Sequence, residues 1–366
     1  MSFVRNEPTQ QTLQCSRCSG CSRSLASHRR WMPAVRRPPL PAQLLPASAV
    51  TIDTRRVGYR RLSELVDLHV ATLPDDLQDE TRDELLRRNK CGLVDLSCSR
   101  SLLENSRTVA WLVVEKRPDE SWHFFLPEVV SEETSPQRKQ SICRSLLTDL
   151  HKDFDSNKGW IAQTLICESK NDADLLAECG FPELTQLKFL TRVSTDELPA
   201  IPAGNWQFET WTQQNDHLFA RVIEKTYEGT LDCPELNGRR TGEQALTSHT
   251  QSGNFDPKLW RVYSQGGEDV GIALLSPHSD STDESKEGNT GQRVWEIVYL
   301  GVVASHRGRG LAKRMLADML QVARKDGADE VMLGVDIRNE PAIRLYEQFG
   351  FRLFGQRKVH ARLRGR

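Results

Sequence analysis

Hydrophobic spacing is clearest in the second half of the chain, where apolar runs alternate between strand-like and helix-like periods. The pattern predicts a helix around Asn215 to Tyr227 and a short helix near Glu243 to Thr250, separated by the Gly/Pro-punctuated segment EGTLDCPELNGRRTG. It then predicts strands in LWRVY from Leu259, DVGIALLS from Asp269 and RVWEIVYLGVV from Arg293. From Leu311, the residues Leu311, Met315, Leu316, Met319, Leu320 and Ala323 fall on one face of a helix. EVMLGVDI follows as a strand. Asn339 then caps a helix that has Pro341 in its first turn and an apolar face of Ala342, Leu345, Tyr346 and Phe349, ending at Gly350.

A shift of 170 residues lays the first half over the second. DADLLAECGFPELTQLKFLTR from Asp172 echoes EPAIRLYEQFGFRLFGQRKVHARL from Glu340, with Gly180 opposite Gly350. The same shift sets Gln137 opposite Arg307 and ICRSLLTDL opposite LAKRMLADML. Two tandem α/β domains are expected, at 52–195 and 205–366, joined by a linker at 196–204 within DELPAIPAGN. The acidic stretch HSDSTDESKEGNTGQ between two strands reads as a solvated loop.

Composition narrows the function classes. Forty-nine basic against fifty acidic residues give a net charge of −1, so no global field favours nucleic acid or an anionic membrane. No run approaches the length of a membrane-spanning helix, and the first 30 residues lack the apolar core of a secretory signal, so a cytoplasmic location is expected. Residues 1–51 form a leader, expected to be disordered, that is rich in arginine and proline and holds the cluster CSRCSGC. Cys15, Cys18 and Cys21 lack a fourth ligand at a usual spacing, so no metal is expected. An organelle transit peptide is the alternative reading of the leader. Six further cysteines, scattered singly through apolar surroundings, are read as free thiols.

The stretch SHRGRGLAKRML carries candidate chemistry. A strand ending in a turn with Gly308 and Gly310 and entering a helix presents unpaired N–H groups at the positive helix end, a site for an anion, with Arg307 and Arg309 adding charge. The spacing fits neither GxxxxGK[ST] nor GxGxxG. The motif Arg307-x-x-Gly310-x-Ala312, with Asn339-x-x-Ala342-x-x-Leu345-Tyr346-x-x-x-Gly350-Phe351 downstream, resembles the GNAT acetyltransferase superfamily.

That resemblance implies two tandem GNAT-like domains of α/β (α+β) class, each a mixed, mostly antiparallel sheet flanked by helices. It implies acetyl-CoA as co-substrate, its pyrophosphate held by Arg307, Gly308, Arg309, Gly310, Leu311, Ala312 and Lys313, with Asn339 beside it. The pantetheine arm would meet Leu300, Gly301 and Val302, and Tyr346 would protonate the departing thiolate. Glu296 is a charge inside an apolar strand, at the family's base position. The tandem arrangement, WEIVYLGV and FDPKLWRVY resemble the mycothiol synthase branch, which implies a small amine or amino-sugar acceptor. Glu228, Asp232 and Glu235 are candidates to receive that amine, in a segment that also holds Cys233, Arg239 and Arg240. Acetylation of protein N-termini or lysines, and a non-catalytic acetyl-CoA sensor, stay open as alternatives. In the first half, Gly308, Gly310, Ala312, Glu296 and Tyr346 become Arg138, Gln140, Ile142, Leu126 and Leu176, so that half is expected to keep the fold and not the cofactor, as a scaffold or one wall of the acceptor cleft.

Overall fold

A computed structural model describes residues 54–57, 61–73, 75–104, 107–130, 134–200, 206–250, 254–277 and 293–364. The leader with its three cysteines, part of the linker and the acidic loop lie outside the described residues. In the first half the elements are β1 (Thr54–Arg56), α1 (Leu62–Val70), α2 (Asp75–Lys90), β2 (Arg100–Glu104), β3 (Arg107–Leu112), β4 (Val114–Lys116), β5 (Ser121–Phe124), β6 (Glu128–Val129), α3 (Pro136–Ser156), β7 (Ile161–Ile166), α4 (Lys170–Glu178) and β8 (Glu183–Val193). The second half contains β9 (Gln207–Thr210), α5 (Asp216–Tyr227), α6 (Gly242–Thr250), β10 (Trp260–Gln265), β11 (Glu268–Pro277), β12 (Val294–Val302), α7 (Leu311–Lys325), β13 (Glu330–Asp336), α8 (Glu340–Gln348) and β14 (Arg352–Leu363). Every element expected in the second half is present; β9 and β14 are additional strands.

The apolar spacing explains the helices. All six stripe residues of α7 are buried, and Arg324 and Lys325 occupy its last turn, where the helix dipole favours cations. Asn339 caps α8 by accepting from the Ala342 N–H at 3.4 Å, and Gly350, at φ 80°, takes the left-handed conformation that ends it.

Ten strands form one sheet in the order β4-β5-β7-β14-β8-β13-β12-β11-β10-β9, and β1-β2-β3-β6 form a second. The large sheet is mixed: β12 and β13 are parallel, as are β5 and β7, while the other pairings are antiparallel. The last strand of each half pairs with the other half. β8 runs along β13 from Leu187↔Asp336 to Val193↔Glu330, and β14 runs along β7 from Lys358↔Ile166 to Leu363↔Ile161. The two exchanged strands pair with each other at the centre. Helices and strands from residue 136 onward recur in the second half close to the 170-residue shift, and α4 and α8 do so residue for residue.

Burial follows this interlock. One apolar cluster belongs to the second half, joined by Leu190 of β8, and two belong to the first. A fourth joins both halves, setting Ile161, Leu187 and Phe189 against Cys233, Leu236, Met332, Val359 and Ala361. Through Cys233 and Leu236 the segment after α5 is thereby anchored over the exchanged strands. The six described cysteines are free thiols.

Candidate active site

β12 and β13 pair only from Val294↔Glu330 to Glu296↔Met332, then part. A register shift opposite Leu274 and Leu275 marks a bulge in β12, which re-aims the strand beyond it. The result is a cleft of about 340 Å³. Tyr299, Leu300, Gly301 and Val302 form one wall; Gly334, Val335, Asn339, Leu345 and Tyr346 form the other. Gly301 is required by close approach, since a Cβ there would meet Thr226 at 2.9 Å.

At the floor, the turn before α7 puts Gly308 at φ 76° and Gly310 at φ 75°, a region costly for other residues, and both would point a Cβ into open space. Gly310 is the N-cap and supplies no side-chain acceptor. None of the six N–H groups from Gly308 to Lys313 has an acceptor among the described residues, and the first helical bond comes from Arg314 N–H to Gly310 O at 3.3 Å. Six amides at the positive end of a 15-residue helix suit an anion with several oxygens. The donor set fits a pyrophosphate.

The two arginines of this turn are held by backbone carbonyls. Arg307 donates from Nε to Val302 O (3.1 Å), from Nη1 to Gly229 O (3.0 Å) and from Nη2 to Thr226 O (2.8 Å), stapling the end of α5 to the end of β12. Arg309 donates to Ser305 O at 3.1 Å, and neither it nor Lys313 lines the cleft. Leu300, Gly301, Val302, Arg307, Gly308, Gly310, Leu311, Ala312 and Asn339 do.

Tyr346 is 6% exposed and lines the cleft, and its hydroxyl has no hydrogen-bond partner among the described residues. Burial, helped by the negative charge of Asp232, holds its phenol protonated well above the ordinary tyrosine range. Glu296 is placed differently from the expectation. It is 1% exposed, is paired across β11 with Ser276 and across β13 with Met332, and is absent from the cleft wall because the strands part only after it.

The three acidic candidates for the acceptor also separate. Asp232 lines the cleft. Glu235 is held by Arg338, whose Nη2 lies 2.9 Å from Glu235 Oε2, and burial is outweighed there by that guanidinium, which lowers the carboxyl's pKa. Glu228 is exposed and does not line the cleft. Behind Asp232 lies a hub the sequence did not reveal. Asp336, 0% exposed, accepts from Thr185 Oγ1 of the first half (2.8 Å), Cys233 N–H (3.0 Å) and Arg338, and donates its own N–H to Asp232 Oδ1 at 2.9 Å. Burial alone would raise the Asp336 carboxyl; Arg338 and the other donors bring it below its ordinary value. Thr226 and Tyr299, whose hydroxyls lie 2.7 Å apart, are further cleft residues that the sequence reading did not single out. Among the described residues there is no group of three or more His, Cys, Asp or Glu able to hold a metal, and no helix is long and apolar enough to cross a membrane.

In the first half the equivalent anion turn is gone. α3 begins at Pro136, five residues earlier than α7 after the shift, so the positions of Gly308 and Gly310 fall inside its first turns. Ser135 caps it, accepting from the Arg138 N–H at 3.3 Å. Loss of the loop itself, more than bulk at the old glycine positions, removes the cradle.

Comparison with known proteins agrees with this geometry. Residues 223–351 match the model of the acetyltransferase (GNAT) family. The chain is 34% identical over 150 residues to a mycothiol acetyltransferase of Acidothermus cellulolyticus, covering 40% of this chain and 42% of that protein. It is 37% identical over 183 residues to one of Corynebacterium aurimucosum, covering 46% and 56%. The chain thus spans about half the length of the curated relatives it matches. A GCN5-related N-acetyltransferase of Sphaerobacter thermophilus shares the fold over 85% of this chain and 95% of its own, with TM-score 0.54 at 20% identity. A GCN5-related glucosamine N-acetyltransferase region of a fungal multi-domain β-N-acetylglucosaminidase does so over 85% of this chain and 38% of that chain, with TM-score 0.59 at 12% identity. The stretch similar to the acetyltransferase (GNAT) family, from Ile223 to Phe351, is thus the one that holds the cleft and the glycine turn.

Proposed function

We propose that the second half moves an acetyl group from acetyl-CoA to a primary amine of a small molecule, by direct attack while both substrates are bound. The six unpaired amides from Gly308 to Lys313 carry this reading, because they offer a diphosphate what bulk water offers and α3 does not. When bound, acetyl-CoA supplies the activated thioester. Gly308 to Lys313 hold its pyrophosphate, Leu300, Gly301 and Val302 line the pantetheine arm, and Tyr346 gives a proton to the sulfur. Its raised pKa keeps that proton available at neutral pH. Glu296 stands behind the wall, so any part it plays in deprotonation is indirect.

The small-amine class rests on the mycothiol acetyltransferase relatives. Residues 52–195 act as scaffold: Thr185 holds Asp336, and Asp119 faces Arg240 at 3.8 Å, so the first half positions the acceptor segment without binding the cofactor itself.

The test measures thiol release from acetyl-CoA over amino sugars, amino thiols and peptides, beside calorimetry with coenzyme A. Tyr346→Phe is expected to bind coenzyme A like the wild type and to release thiol roughly a hundredfold more slowly. No heat on adding coenzyme A to the wild type would sink the reading, and release with peptides alone would move the acceptor to protein.

A further inference from the structure

The sequence pattern put the proton acceptor on β12 at Glu296; the geometry points to Asp232, and we infer that this carboxylate receives the proton of the incoming ammonium. The inference rests on the acetyl-transfer reading above and assigns it a catalytic residue. Asp232 is the only carboxylate among the described residues that line the cleft, which it shares with Tyr346. Its position is fixed from two sides. The Asp232 N–H donates to Thr230 Oγ1 at 3.0 Å, and Oδ1 accepts from the Asp336 N–H at 2.9 Å, while Oδ2 has no partner among the described residues. Asp336 is itself locked by Thr185, Cys233 and Arg338, so the first half of the chain holds the acceptor carboxylate in place through the exchanged strand β8.

The titratable groups around Asp232 are Asp336 and Arg338 at the end of β13, Tyr346 on α8, Tyr227 on α5, Tyr299 on β12, the adjacent Cys233, and Arg240 before α6. Burial raises the Asp232 carboxyl above its ordinary range, and the Asp336 charge pushes the same way while Arg338 opposes it. A raised carboxyl is the better match to an ammonium. Beside Asp232 there is also room for a water. Tyr227 Oη and Arg240 Nε are buried without partners and, with Asp232, line a void of about 10 Å³. A water needs about this much space and two to four polar partners.

The step balances as follows. The ammonium gives one proton to Asp232, from which it passes to solvent, and the neutral amine attacks the acetyl carbon. The C–N bond forms, the C–S bond breaks, the sulfur takes the proton of Tyr346, and the second proton of the nitrogen restores the phenol.

Asp232→Asn keeps an oxygen for the Asp336 N–H and removes the base. Thiol release at neutral pH is expected to fall roughly a hundredfold or more, with coenzyme A affinity unchanged, and to climb about tenfold per pH unit as the free amine accumulates. Glu296→Gln is expected to lose less. Activity of Asp232→Asn within tenfold of the wild type, a loss that pH does not repair, or a larger loss in Glu296→Gln overturns the assignment. Should the wild type release no thiol with any amine, the transfer reading fails by itself. Calorimetry of glucosamine with the coenzyme A-loaded protein, in two buffers of different ionisation enthalpy, then decides Asp232: proton release on binding that is lost in Asp232→Asn supports it, and equal or absent release in both overturns it.

Discussion

α3 and α7 occupy the same place in two copies of one fold, and they begin in opposite ways. Ser135 turns its hydroxyl back on the first turn of α3, whereas Gly310 leaves the first turn of α7 with nothing. A cap and an anion compete for the same N–H groups. The two helix starts therefore differ in whether a side chain of the chain itself fills the first turn. Buried ionisable groups divide the halves too. In the first, Glu115 lies between Arg88 at 3.6 Å and Arg117 at 3.1 Å, far from any anion turn. In the second, Asp336 and Arg338 are spent on holding the acceptor segment.

The contrast breaks most sharply at the turn. Gly310→Gln copies the first-half residue into the second and forces a side chain onto a left-handed backbone. Two or three charge-assisted hydrogen bonds to phosphate should be lost, about 4 kcal/mol, or close to a thousandfold in coenzyme A affinity by calorimetry. A smaller effect concerns the first half under acid. Burial lowers the His69 pKa to about 4, against an ordinary value of 6.5. The unfolded chain takes up a proton below pH 6.5 that the folded chain refuses, so stability is whole above 6.5 and declines as pH falls to about 4. The loss reaches about 3 kcal/mol, with the wild-type urea midpoint falling over that window and a His69→Leu midpoint falling less. Smallest of all, Ser135→Ala should cost about 1 kcal/mol in urea unfolding and leave coenzyme A affinity as it was. An affinity change there would mean that the helix ends are not independent.

Local features were legible in the sequence. The α7 stripe, the Asn339 cap and the glycine turn are each decided by neighbours a few residues away, and each is present as expected. Long-range pairing was not. β8 and β14 carry the same alternating character in each half, so nothing local says that each crosses to the other half. The acids show the same limit. Glu296 is conspicuous as a charge in an apolar strand, yet its access depends on where β12 and β13 part. Glu235 and Asp232 look alike as residues of one loop; Arg338, 103 residues from Glu235, occupies the first and leaves the second open.

The crossing of β8 and β14 makes each half the other's missing edge. A cut in the connection between them would leave two sheets, each with a seat for a strand it no longer owns, and such open ladders recruit whatever chain is nearest. In the intact chain each half closes the sheet of the other, so neither ladder is left open at β7 or β13.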